Sequence, residues 1–84
     1  NYILLMKDGL FVIADVNGKL TRDPQFEQIT PLPNGYFLVE RSGLRGVIDI
    51  NGKDIVPVAY EQITQMGDRF IGSESANWVV IDLN

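Results

Sequence analysis

Residues 36–64 read YFLVERSGLRGVIDINGKDIVPVAYEQIT, and this stretch decides the fold. Tyr36 to Glu40 is dense in aromatic and branched side chains, as strands are. Ser42-Gly43 makes a short turn. Leu44 to Ile50 then alternates as a second strand. Asn51-Gly52 is the strongest short hairpin signal, because both residues of a two-residue turn need positive φ. A third segment, Asp54-Ile55-Val56, leads out of the turn. Pro57 ends, bends or edges it, since proline cannot donate to a ladder.

The same unit occurs elsewhere in the chain. The tetrapeptide EQIT stands at residues 27–30 and again at 61–64, an offset of 34. At that offset Asp15, Asn17, Gly18 and Lys19 fall on Asp49, Asn51, Gly52 and Lys53, and residues 1–41 laid on 35–75 give 13 identities. A third, partial copy follows one residue short, with Trp78-Val-Val-Ile-Asp82 on Arg45-Gly-Val-Ile-Asp49. A period in this range marks a repeat architecture. The chain is therefore expected to be one all-β domain, residues 1–84, built from tandem β-meander units of about 34 residues. Their bounds are about 2–35, 36–69 and, in part, 70–84. Three short strands per unit suit a twisted sheet, a small barrel or a short solenoid.

Alternation along the central strand assigns its faces. One face carries Leu10, Val12, Ala14 and Val16 in the first unit and Leu44, Gly46, Ile48 and Ile50 in the second. In the third it carries Asn77, Val79, Ile81 and Leu83. This face is expected to be the core. The opposite face carries Phe11-Ile13-Asp15, Arg45-Val47-Asp49 and Trp78-Val80-Asp82. Phe26 and Ile29, like Tyr60 and Ile63, are three residues apart. That spacing fits a helical turn or bulged corner with both apolar groups inward and Glu-Gln facing water.

Composition excludes several function classes. The chain has no histidine and no cysteine. It thus lacks the commonest neutral-pH general base, thiolate chemistry and disulfides. Its net charge of −4, with basic residues scattered among acidic ones, argues against nucleic acid and anionic membranes as partners. Apolar runs such as Ile3-Leu4-Leu5-Met6 are too short to span a bilayer, so no membrane insertion is expected. No basic and apolar leader opens the chain, and a first residue Asn1 suggests a segment of a longer or processed protein.

The ordered residues Gly43-Leu-Arg-Gly46-Val-Ile48-Asp49-Ile-Asn-Gly52-Lys53-Asp-Ile55-Val-Pro57-Val-Ala-Tyr60-Glu-Gln-Ile63 resemble the WG repeat, also known as the KWG-type repeat of bacteria. The resemblance covers nearly the whole chain. The naming Trp-Gly pair is intact nowhere: its place is taken by Phe11-Val12, Arg45-Gly46 and Trp78-Val79. The resemblance implies a mostly bacterial, often secreted or surface-attached protein. It implies a non-enzymatic scaffold for contacts with other macromolecules, without a common catalytic site.

Residue chemistry points the same way. Asp49 to Asp54 offers hard oxygen ligands, but Gly52 and Lys53 stand where a helical calcium loop needs other residues, so no metal is expected. Glu27, Glu40, Glu61 and Glu74 recur at equivalent positions, whereas catalytic carboxylates need unlike environments. Ser42, Ser73 and Ser75 have no histidine partner. No enzyme activity, catalytic residue or cofactor is expected. The candidate contact strip is Phe11, Arg45 and Trp78, at the family's tryptophan position. Exposed, the column would recognise a partner through residue types favoured at interfaces. Buried, its aromatics would cover a second small core, and Arg45 would need a partner such as Asp49. A protein partner is expected, with carbohydrate or cell-envelope binding through exposed aromatics as the alternative. Self-association through strand edges is a further expectation.

Overall fold

The computed structural model describes residues 2–81. The chain is all-β, with antiparallel strands throughout. Strands β1 (Ile3–Lys7) and β2 (Leu10–Ala14) form a two-stranded sheet. Strands β3 (Gln28–Pro31), β4 (Tyr36–Arg41), β5 (Leu44–Asp49) and β6 (Asp54–Tyr60) form a four-stranded sheet in sequential order. Strands β7 (Gln62–Met66), β8 (Arg69–Glu74) and β9 (Asn77–Ile81) form a third sheet. The expectation of one twisted sheet or a small barrel is not met, because three separate sheets form and none closes into a barrel. Bends at Glu27 and Glu61 are the cause: the chain leaves one sheet there and enters the next.

Two apolar clusters hold the sheets together. The first joins Ile13 and Phe26 to Ile29, Phe37, Val39 and Ile48, with Phe11 and Val58 packed against it. The second joins Val47 and Val56 to Phe70, flanked by Tyr36, Leu38, Tyr60, Ile63 and Ile81. Cross-strand register explains the division. Phe37 lies opposite Ile48, and Leu38 opposite Val47, so the middle sheet sends alternate residues to opposite faces. The single core face expected of the central strand is therefore a correction. Both faces of β5 are buried, because its sheet lies between two others. Val16, Ile50 and Val79, assigned to the core face, are exposed instead, and Leu83 lies outside the described residues. An edge-on aromatic pair bridges each gap: Tyr2 with Phe37 at 4.8 Å and Tyr36 with Phe70 at 5.2 Å.

The turns also differ from expectation. Two consecutive positive φ values occur at Asp8-Gly9, Ser42-Gly43 and Ser75-Ala76, and at Asn34-Gly35 in the loop before β4, but not at the expected hairpin turns Asn17-Gly18 and Asn51-Gly52. At Asn51-Gly52 only the glycine is left-handed, at φ 81°. Asp49 is responsible. Its Oδ1 accepts the N–H groups of Asn51 at 2.9 Å and Lys53 at 3.0 Å. The Gly52 N–H donates to the Asp49 carbonyl at 3.0 Å, which closes a longer loop ended by glycine. Asp15 does the same to Asn17 and Lys19 at 2.9 and 3.0 Å.

The EQIT segments form a bend followed by a strand, not a helical turn. Phe26 and Ile29 are both buried, whereas Tyr60 and Ile63 are half-buried. Glu27 has more to do than face water, since its Oε1 accepts the Ser42 N–H at 2.7 Å. The third segment of the middle unit runs through Pro57 to Tyr60 as an edge strand with shifted register. No helix among the described residues is long and apolar enough to cross a membrane.

Candidate contact strip and outer sheet faces

Phe11, Arg45 and Trp78 lie on β2, β5 and β9, one in each sheet. The fold gives the three positions different surroundings. The Phe11 N–H donates to the Phe26 carbonyl at 2.6 Å, and the Phe11 ring packs against the first cluster. Arg45 lies opposite Tyr60 in the ladder. Its guanidinium donates to the Glu61 carbonyl and lies 3.4 Å from Glu40 Oε1. Its partners are therefore a corner carbonyl and the cross-strand glutamate, not Asp49, whose carboxylate closes its own turn. Trp78 lies opposite Ser73 and is 59% exposed.

Sequence reasoning missed the apolar surface around this column. Val80 shares a face with Trp78 by alternation and is 65% exposed. Ile81, one residue on, faces the second cluster, so Trp78 and Val80 point away from the middle sheet. At the other end Ile3 and Leu5 are exposed and alternate with Leu4 and Met6. Leu4 lies opposite Ile13, which packs toward the middle sheet, so Ile3 and Leu5 lie on the other face, where their partners Ala14 and Val12 are fully buried. The available signal was the run Ile3-Leu4-Leu5-Met6, apolar on both faces as only a doubly covered strand should be.

The polar groups are largely committed elsewhere. Arg22 donates to Asp54 at 2.7 Å and to the Gly52 carbonyl at 3.1 Å, tying the first Asn-Gly loop region to the second. A shallow cavity of about 390 Å³ lies between those loops, lined in part by Tyr2, Asp15, Lys19, Thr21 and Asn51. Asp15 closes its turn there, and the Thr21 hydroxyl donates to the Ile13 carbonyl at 2.8 Å. Among the described residues, no group of three or more acidic side chains gathers as a metal site would require. The arrangement leaves apolar side chains exposed on β1 and β9 and commits many of the polar groups between them to structural hydrogen bonds. No known protein family, curated protein or solved structure matches the chain.

Proposed function

We propose that the chain is a non-enzymatic contact module, built from tandem units and used to hold protein partners. The observation that carries this is the distribution of exposed apolar side chains. Among the described residues, Tyr2 to Met6 and Trp78 to Val80 supply eight of the twelve large apolar residues left open. All but Tyr2 lie on β1 and β9. Exposed apolar side chains gathered on two strands mark interaction sites more often than scattered single residues do.

The tandem reading is supported by paired positions one period apart. Ala14 bridges Leu20 and Phe11 bridges Phe26; 34 residues on, Ile48 pairs with Asp54 and Arg45 with Tyr60. The WG-like order of residues 43–63 fits the same unit. Stacked units that each bury a neighbour's apolar face form a short solenoid.

Carbohydrate binding is the second reading, and exposed Trp78 is the observation that favours it. Aromatic stacking along a sugar chain needs several open rings, whereas Phe11 packs inward and Arg45 is no ring. A photo-crosslinking residue placed at 78 separates the two. Protein adducts at 78, and not at Asp68 on the β7–β8 turn, are expected in cells. Retention on polysaccharide gels without protein adducts would favour the second reading.

A further inference from the structure

Asn17-Gly18 and Asn51-Gly52 are a matched pair in sequence and an unmatched pair in structure. Each is preceded by a branched aliphatic residue, followed by lysine, and placed two residues after an aspartate. The two loops close in the same way. The Gly18 N–H donates to the Asp15 carbonyl at 2.9 Å, and the Gly52 N–H to the Asp49 carbonyl at 3.0 Å. Through Oδ1, Asp15 and Asp49 each accept two further N–H groups, from the second and fourth residues beyond. What surrounds the two glycines differs. Gly18 is exposed, and a Cβ built on it would meet nothing within 4 Å. Gly52 is buried, and a Cβ there would stand 2.7 Å from Thr21 Oγ1. Its carbonyl also accepts a hydrogen bond from Arg22 Nη1 at 3.1 Å.

This contrast bears on a reaction that Asn-Gly pairs undergo without a catalyst. The glycine backbone nitrogen attacks the side-chain carbonyl carbon of the asparagine, and glycine has no Cβ to hinder the approach. A nitrogen–carbon bond forms, the N–H proton passes to water, and the side-chain nitrogen leaves as ammonia. Water then opens the cyclic imide at either carbonyl and leaves aspartate or isoaspartate. To attack, the glycine nitrogen must give up its hydrogen bond and swing toward the asparagine side chain. Open solvent surrounds Gly18 as it moves. Thr21 obstructs Gly52, and Arg22 holds its carbonyl. The third pair is restrained differently. Asn34, at φ 67° and ψ 27°, points the Gly35 nitrogen away from its own side chain, whose Nδ2 donates to the Gly67 carbonyl at 3.5 Å.

We infer that Asn17 is a site of spontaneous modification, deamidating through the cyclic imide well ahead of Asn51 and Asn34. The product carries a new carboxylate two residues from Asp15, which lines the cavity between the loops. Isoaspartate also adds a carbon to the backbone just before Gly18 and Lys19, whose N–H groups bond to Asp15.

Trypsin separates the three pairs, because its lysine and arginine sites place Asn17 in residues 8–19, Asn34 in 23–41 and Asn51 in 46–53. The folded 84-residue chain is incubated at mildly alkaline pH, sampled over time, digested and analysed by mass spectrometry. A parallel incubation in urea gives the unfolded rates, and each folded rate is divided by the rate of the same residue in urea. That ratio is expected to be about tenfold higher at Asn17 than at Asn51 or Asn34, since the reaction follows local opening. Asn17→Ser is expected to remove the first acidic species to appear on ion exchange. A ratio at Asn17 no higher than at Asn51 or Asn34, or an early acidic species that persists in Asn17→Ser, would overturn the assignment.

Discussion

Two segments 34 residues apart in the sequence are held in different ways. Strand β6 pairs with β5 over Asp54–Tyr60. The segment 20–26, one period earlier, touches β2 only through the bridges Ala14–Leu20 and Phe11–Phe26. The bridges fall at the same register as two of the β5–β6 pairs, so the path is kept while the ladder between them is lost. Gly46 accounts for much of the difference. A Cβ there would stand 2.7 Å from the Val56 carbonyl oxygen and 2.9 Å from the Val58 nitrogen, so only glycine admits β6 this closely. The first unit has Val12 at that position, and its side chain keeps the neighbouring backbone away. Residues 20–26 have a side-chain anchor in place of the ladder. Phe26 is buried in the first cluster, with the Arg22 guanidinium over its ring at 5.1 Å.

The largest effect should follow from removing that anchor. Phe26→Ala empties a fully buried site and is expected to cost about 3–4 kcal/mol in a urea melt. Hydrogen exchange should show residues 19–27 opening before β5 and β6 do, because few backbone bonds hold that segment. Equal protection of both segments in the variant would break the contrast. Next in size is Gly46→Val, which gives the second unit the first unit's side chain. Overpacking against the β6 backbone is expected to cost about 2–3 kcal/mol. For a chain of this length that corresponds to a fall in Tm of roughly 10 °C or more. An unchanged melt would show that β6 stands off from β5 without loss.

The same pair of segments explains how far the sequence could be read. Alternation and branched residues made Tyr36–Glu40 and Leu44–Ile50 legible as strands, and Phe26 and Ile29 legible as inward groups. The division into three sheets was not legible. It depends on where the bends at Glu27 and Glu61 turn the chain, and a bend between two polar-flanked runs leaves little trace in periodicity. The turn at Asn51-Gly52 misled for a definite reason. The dipeptide suits a two-residue turn, but Asp49, two positions earlier, captures two N–H groups and pulls the chain into a longer loop. At the candidate strip the column of positions was legible, and the exposure of each member was not. Phe11 and Arg45 are half-covered because a neighbouring segment crosses them, whereas no described segment crosses Trp78.

Where the two Asn-Gly loops agree, equal effects are expected. Asp15 and Asp49 make matching pairs of bonds to the second and fourth residues beyond them. Asp15→Ala and Asp49→Ala should each cost about 1 kcal/mol, the scale of exposed side-chain bonds to backbone. The second loop has one further constraint. A Cβ on Gly52 would lie 2.7 Å from Thr21 Oγ1, so the two loops touch. A cost for Asp49→Ala well above that for Asp15→Ala would show that this contact, and not the turn alone, fixes the second loop.

The smallest effect separates the two halves of the repeated tetrapeptide. Gln28 and Gln62 follow the bends as the first strand residue, opposite Glu40 and Ser73, and both are exposed. The backbone already fixes each corner: the N–H of Glu27 donates to the Glu40 carbonyl at 2.8 Å, and that of Glu61 to the Ser73 carbonyl at 2.9 Å. Removing either glutamine side chain removes no bond that holds the bend. Gln28→Ala and Gln62→Ala should therefore stay within about 0.5 kcal/mol of the parent, as surface substitutions usually do. Glu27→Ala should cost more than either, because it leaves the Ser42 N–H without its carboxylate partner at the tip of the β4–β5 turn. If Gln28→Ala proved as costly as Glu27→Ala, the corner would be held by side chains that face water, and the backbone pairing at the bend would be the lesser support.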